Sequence, residues 1–311
     1  MTPNHHIVLR GLDGTTPLGF LAALGLVNAL RECLPDLCLA WTTDEGGWVA
    51  QLGSSAPICQ DDLLDRLDKT LVNSLNQHPA RLYKEVKQQP GEEVKQQPGN
   101  VFLQVRQAAA ANCRREADFL AAIASNLAPA DATSQLQTTR RDYHVGNIKS
   151  ILERTTRSHL DRTLFKPWDY ADPMDNQSLH LDPSEDRRHA YQWHKPSGDP
   201  TRRQRGTMLG ANRLAIEAFA WFTVWPVGGA LKTLGFSGFG SRETRWTWTI
   251  WTPFVPPDLI PSLLALAPLQ DESIAESDRR RLRHMGIAAV YRVRRILVGK
   301  TPNFTPARKI A

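Results

Sequence analysis

Several stretches of this 311-residue chain bring together side chains that could do chemistry, and none of them completes a catalytic set. His189 and His194 stand five residues apart in a strand-like context, which does not set both on one helical face. The chain has no His-Glu-x-x-His pair, no Gly-x4-Gly-Lys-Ser/Thr phosphate loop and no Gly-x-Ser-x-Gly nucleophile turn. Asp182, Glu185 and Asp186 are close enough to suggest a cation site. Arg187 and Arg188 follow directly and would satisfy those carboxylates as ion pairs, so neither a metal nor another cofactor is expected.

Arginine carries the stronger signal. Between residues 140 and 295 it greatly outnumbers lysine, and its planar fork matches phosphate oxygens and guanine edges in a way that an ammonium does not. The run Gly235-Phe-Ser237-Gly-Phe-Gly240 precedes Arg242 and Arg245, so a backbone that can approach phosphates is followed by charges that can neutralise them. Arg187, Arg188, Tyr191 and Trp193, followed by Arg202, Arg203 and Arg205, interleave cations with aromatic faces suited to stacked bases. Asn212 has the amide that reads an adenine edge and Arg213 the fork that reads guanine; the alternative is a helix capped at Asn212 and held by structural ion pairs. Arg292 and Arg294 fall on one face of a strand, with Arg295 on the other. Arg140, Arg141 and Lys149 complete the set of candidate nucleic-acid contacts.

The elements that must position these groups make a mixed α+β pattern. It consists of antiparallel strand pairs packed with helices, with no regular β-α-β rhythm. Residues 5–10 read as a strand, and Thr15-Thr16-Pro17 opens a buried helix over 18–30 in which Gly19 and Gly25 imply close backbone packing. Strands at 37–43 and 47–52 and a polar helix at 60–78 follow. Residues 101–128 and 145–165 read as helices, and 166–207 as a long irregular segment. A helix at 210–222, strands at 231–236 and 243–252, helices at 258–267 and 271–284, a strand at 286–298 and an extended tail complete the chain. Trp246, Trp248 and Ile250 share one face of the second of those strands. The expected organisation is an α+β unit over 1–83, an inserted loop over 84–100 and a helical and β unit over 101–311, packed together as one globule. The insertion holds Glu85-Val-Lys-Gln-Gln-Pro-Gly91 and its copy at 93–99, which is too short for a repeat architecture.

Composition narrows the class. The net charge of +6 is unevenly spread: residues 1–80 carry 4 Lys/Arg against 9 Asp/Glu, and residues 221–311 carry 13 against 6. A basic back and an acidic front suggest one surface for a polyanion and another for a protein. No apolar run is long enough for a membrane span, and the 4 cysteines fit neither a zinc ribbon nor a disulfide framework, so a reducing cytoplasm is the expected compartment.

The stretch from Gly11-Leu-Asp-Gly-Thr-Thr-Pro-Leu-Gly through Gly25 resembles the opening of the short large-subunit proteins of type I-G (formerly I-U) CRISPR systems. Leu181 to Tyr191, Gly210 to Ala218, Leu234-Gly-Phe236 leading to Trp251, and Tyr291 to Phe304 are similar as well, so the resemblance runs the length of the chain. It implies a non-catalytic subunit of an RNA-guided surveillance complex, bound to guide RNA and target double-stranded DNA. Such a subunit contacts the motif flanking the target (the PAM), aids duplex opening, and sits beside backbone and hook or guide-processing subunits and a helicase-nuclease. Two other readings remain open at this level. One is a metal-independent endoribonuclease using His144, His189 or His194; the other is an assembly subunit that holds guide RNA alone.

Overall fold

The chain enters its core through a turn whose bonds follow from Asp13-Gly14-Thr15-Thr16. The Asp13 carboxylate accepts hydrogen bonds from the Thr15 N–H and hydroxyl, both at 2.8 Å, and the Thr16 hydroxyl accepts from the Gly19 N–H at 3.1 Å. Thr16 thereby caps helix α1 (Pro17–Leu30), whose proline occupies the position where no amide hydrogen is needed. In the computed structural model the described residues are 3–44, 47–75, 78, 107, 110–111, 114–125, 127–128, 132–139, 141–173, 177–181, 206–239, 243–298 and 301–311.

Eight α-helices and ten strands lie among these residues, an α+β fold as the pattern predicts. Strands β1 (His5–Asp13), β2 (Cys38–Asp44) and β3 (Gly47–Ser54) form an antiparallel sheet in the order β1-β3-β2, and α2 (Gln60–Leu75) follows. Next come α3 (Arg114–Ile123), α4 (Arg141–Arg154), α5 (Arg157–Phe165) and α6 (Leu209–Ala218). A hairpin of β4 (Val224–Val227) and β5 (Ala230–Thr233) leads into the second large sheet. That sheet has the order β10-β8-β7-β6, from β6 (Phe236–Ser237), β7 (Arg245–Trp251), β8 (Ile287–Val298) and β10 (Arg308–Lys309), with β9 (Thr301–Phe304) also paired to β8. Helices α7 (Ile260–Leu264) and α8 (Glu276–His284) lie between β7 and β8.

One apolar cluster joins both ends of the sequence. Every residue of α1 is buried, and a Cβ on Gly25 would stand 1.7 Å from the Leu214 carbonyl oxygen, so α1 and α6 meet backbone to backbone. Asn28 adds a hydrogen bond to the Glu217 carbonyl at 2.7 Å. Phe20, Trp41, Trp246, Trp248 and Trp251 pack as one aromatic group between the two sheets. Trp248 Nε1 donates to the Gly14 carbonyl and Trp251 Nε1 to the Leu39 carbonyl, tying the second sheet to the first.

Several boundaries differ from the sequence expectation, each for a local reason. The helix expected over 145–165 is two helices. The Thr155 hydroxyl bonds back to the Ile151 carbonyl at 2.7 Å, and Thr156 and His159 form a reciprocal cap that starts α5 afresh. The strand expected over 231–236 is broken at Gly235, which has φ of +81°. Pro257, Pro261 and Pro268 restrict the helix expected over 258–267 to α7 flanked by single 3₁₀ turns at Pro257–Leu259 and Ala267–Leu269. The tail read as merely extended supplies two paired strands.

The segment 166–207 is described over 166–173, 177–181 and 206–207, and the core holds both of its ends. Asp172 and Thr207 exchange backbone hydrogen bonds at 3.2 and 2.7 Å. The Asp172 carboxylate also accepts from the Leu209 N–H, at the start of α6, and from Arg162, each at 2.7 Å. The repeat at 84–99 lies outside the described residues. No helix among the described residues is long and apolar enough to cross a membrane.

Candidate nucleic-acid interface

Pairing across the second large sheet sorts its side chains by face. Arg245 lies opposite Arg294 and Thr247 opposite Arg292; β6 places Ser237 opposite Arg245, and β10 places Arg308 opposite Arg292. Directly paired residues project to the same side, so Ser237, Arg245, Arg294, Arg292 and Arg308 share one face. The opposite face carries Trp246, Trp248, Tyr291 and Val293 into the aromatic core. The result is a row of Ser237, Arg245 and Arg294 beside a row of Thr247, Arg292 and Arg308.

Like charges in direct register normally repel, so the fate of each guanidinium matters. Arg292 is spent internally. Its Nε donates to Thr247 Oγ1 at 2.8 Å, and its two terminal nitrogens donate to the carbonyls of Leu269, Asp271 and Glu272. Burial first, and then the neighbouring Arg245 charge, pull its pKa below the usual arginine value. Arg245 is three-quarters buried and meets Glu272 at 3.3 Å, on a glutamate side chain that is 89% exposed. Arg294 is exposed, and among the described residues its guanidinium has neither hydrogen bond nor ion pair; its backbone alone is engaged, the N–H by Thr305 Oγ1 and the carbonyl by the Thr305 N–H. Ser237 is 7% exposed, with no partner for its hydroxyl among the described residues. Arg308 and Lys309 are exposed on β10. At this end of the face, among the described residues, the cations outnumber the carboxylate paired with them, that of Glu272.

The glycine loop sits at the same edge. Gly238 has φ of +72°, and a Cβ there would lie 2.3 Å from the Glu243 carbonyl oxygen, so glycine is required for the chain to turn toward β7. The Gly238 carbonyl accepts from Gln135 Nε2 at 3.0 Å. Arg242, farther along the loop, lies outside the described residues, as do Arg140, Arg187, Arg188, Tyr191, Trp193, Arg202, Arg203 and Arg205. Asp182, Glu185, Asp186, His189 and His194 fall there as well. Arg141 opens α4, with its side chain outside the described part. Lys149, on the same helix, is 3.8 Å from Glu153 one turn on.

Three sequence expectations require correction. Asn212 is fully buried: its carbonyl accepts from the Leu179 N–H at 2.8 Å and its amide donates to Thr207 Oγ1 and the Met208 carbonyl, leaving no edge for a base. Arg213 is 1% exposed and paired with Glu217. Arg292 is sealed by the carbonyls described above. The cause at residues 212 and 213 is that every residue of α6 is buried, enclosed by α1, α4 and α5. The sequence did hold a clue: Arg213 and Glu217 are its only charges and stand four apart, the spacing of an intrahelical pair.

His144 is no better placed for acid–base work. Its Nδ1 lies 2.7 Å from the Thr139 hydroxyl, and burial pulls its pKa down to about 4. Arg295, on the core side of β8, donates to the Gln137 carbonyl at 2.9 Å, and burial draws it down to about 10. Arg308 is the cation of this face that sequence reasoning missed. Nothing local marks it, because its place beside Arg292 depends on a pairing across 16 residues.

No protein-family model matches this chain, and comparison with curated proteins finds no relative.

Proposed function

We propose that this chain is a nucleic-acid-binding subunit whose Ser237–Arg245–Arg294 row lies against a phosphate backbone. The observation that carries the reading is the direct register of Arg245 and Arg294, beside a buried hydroxyl that has no partner among the described residues. Two cations side by side on adjacent strands repel, and an anion between them turns that repulsion into two charge-assisted contacts. Face-on binding by guanidiniums positions a backbone without reading its bases.

In its finer form the proposal is the large subunit of a type I-G CRISPR surveillance complex, non-catalytic, holding target DNA near the flanking motif in a cytoplasmic assembly with guide RNA, backbone and hook subunits and a helicase-nuclease. The similarities quoted from Gly11 to Phe304 support that form, and the arginine row is compatible with it. The test is binding of labelled duplex DNA over a range of salt, for the chain alone and for the complex it forms with co-expressed neighbouring subunits. Arg245→Ala with Arg294→Ala should weaken binding and flatten the salt dependence by about one unit of slope for each phosphate no longer neutralised. Unchanged affinity and slope would show that the row is not the DNA surface.

A further inference from the structure

The hairpin of β4 and β5 is built to leave one aromatic ring in solvent. Trp225 pairs with Lys232 and Val227 with Ala230, while Pro226 pairs with Leu231 and Val224 with Thr233. Leu231 and Thr233 are buried; Trp225 and Val227, on the alternate face, are each 40% exposed. Gly228 and Gly229 form the tip with φ of +56° and +82°, the handedness a two-residue hairpin turn requires. A Cβ built on either would meet nothing within 4 Å, so the tip stands clear of the described body. Trp41, Trp246, Trp248 and Trp251, by contrast, are each at most 1% exposed. Burying tryptophan is the ordinary outcome, and Trp225 is left with two-fifths of its surface uncovered.

Two further observations indicate what could cover it. The Lys232 ammonium lies 5.9 Å from the centre of the Trp225 ring, so a cation on a flexible stem stands beside the aromatic face. The hairpin also runs directly into the arginine face: Ser237 stands five positions after Lys232, at most ~18 Å of chain. Phe239, two residues beyond Ser237, is a second exposed ring at 39%. Aromatic faces alternating with cations suit a polymer that alternates flat bases with phosphates, and they suit it unpaired, because a duplex keeps its base faces stacked on one another.

We propose that Trp225 is a stacking platform for an unpaired base of a single-stranded nucleic acid whose phosphates lie on the Arg245–Arg294 row. This rests on the reading of that row given above and adds which form of nucleic acid it takes. The ammonium of Lys232 swings from the ring toward a phosphate as the base arrives.

The experiment titrates the purified full chain with a fluorescein-labelled oligothymidylate and, separately, with a hairpin duplex of the same nucleotide count. Trp225→Ala should lower single-strand affinity about tenfold or more and leave duplex affinity within about twofold, while Trp225→Phe retains most of it. Arg294→Ala should weaken both. An unchanged melting temperature in Trp225→Ala excludes misfolding as the cause. If Arg294→Ala weakens binding and Trp225→Ala does not, the platform is wrong and the backbone reading stands. A Trp225→Ala chain that binds normally but loses self-association in sedimentation identifies the hairpin as an interface between copies, which also overturns the platform. Should the wild-type chain bind neither probe at low salt, both readings fall together.

Discussion

Two regions of this molecule hold arginines beside polar partners, and they differ in what encloses them. In the first, between α4 and α6, Arg213, Asn212, Asn147 and His144 are all buried. Asn212 and Asn147 hold the strip 177–181 by its backbone, through Leu179 and Ser178. In the second, the open end of the sheet face, Arg294 is exposed and Arg245 meets one solvent-exposed glutamate. A residue type in a promising pattern is therefore not a site. Enclosure by neighbouring helices turns the same guanidinium from a ligand-binding group into a structural part whose removal leaves an uncompensated charge.

That contrast can be broken or sharpened by substitution. The largest effect belongs to the sealed region. Arg213→Ala takes the buried guanidinium from the Glu217 carboxylate and should destabilise the fold by about 3–5 kcal/mol in urea unfolding, whereas Arg213→Met with Glu217→Leu should recover much of that stability. A drop under about 1 kcal/mol for Arg213→Ala would mean that water reaches the pair.

His144 gives the next effect, and its sign is fixed by its burial. The folded pKa of about 4 lies below the ordinary value of 6.5, so the fold favours the neutral ring. Its contribution is complete above pH 6.5 and falls away as pH drops from there toward 4, amounting to about 3 kcal/mol over the window. His144→Gln should cost stability at pH 7, and the gap between variant and wild type should narrow as pH approaches 4; a gap independent of pH would mean that the ring is not held neutral.

The smallest effect on stability belongs to the open region. Arg294→Ala should change unfolding by no more than about 0.5 kcal/mol, with relief of repulsion from Arg245 offsetting the packing of its stem. A larger destabilisation would make Arg294 a structural residue like Arg213 and remove it from the proposed interface.

The elements were legible where local physics decides them. The Thr16-Pro17 helix start, the period-two alternation of β7 and the packing role of Gly25 follow from short-range rules. The split at Thr155-Thr156 was legible in principle, since Thr156 and His159 stand at cap spacing, but an apolar pattern continuing on both sides hid it. The site was legible only in part. Ser237, Arg245 and Arg294 were named from two separate motifs, yet their common row is a matter of register between strands far apart in the chain for β7 and β8, and sequence does not encode register locally. The nucleic-acid reading of Asn212, Arg213 and Arg292 fails, and for the first two the structural alternative prevails, because burial is decided by elements distant in the chain.

The close approach at Gly25 has a consequence for synthesis. Helix α1 is complete at Leu30, and the helix against which that glycine closes begins at Leu209. At ordinary elongation rates of about 5–20 residues per second, α1 waits roughly 9–36 s for its partner to be made. Through that interval α1 can pack only on β1, β2 and α2, and the face that carries Gly25 stays uncovered. A nascent chain that stops short of Leu209 therefore leaves the Gly25 face of α1 without the backbone it is shaped to meet.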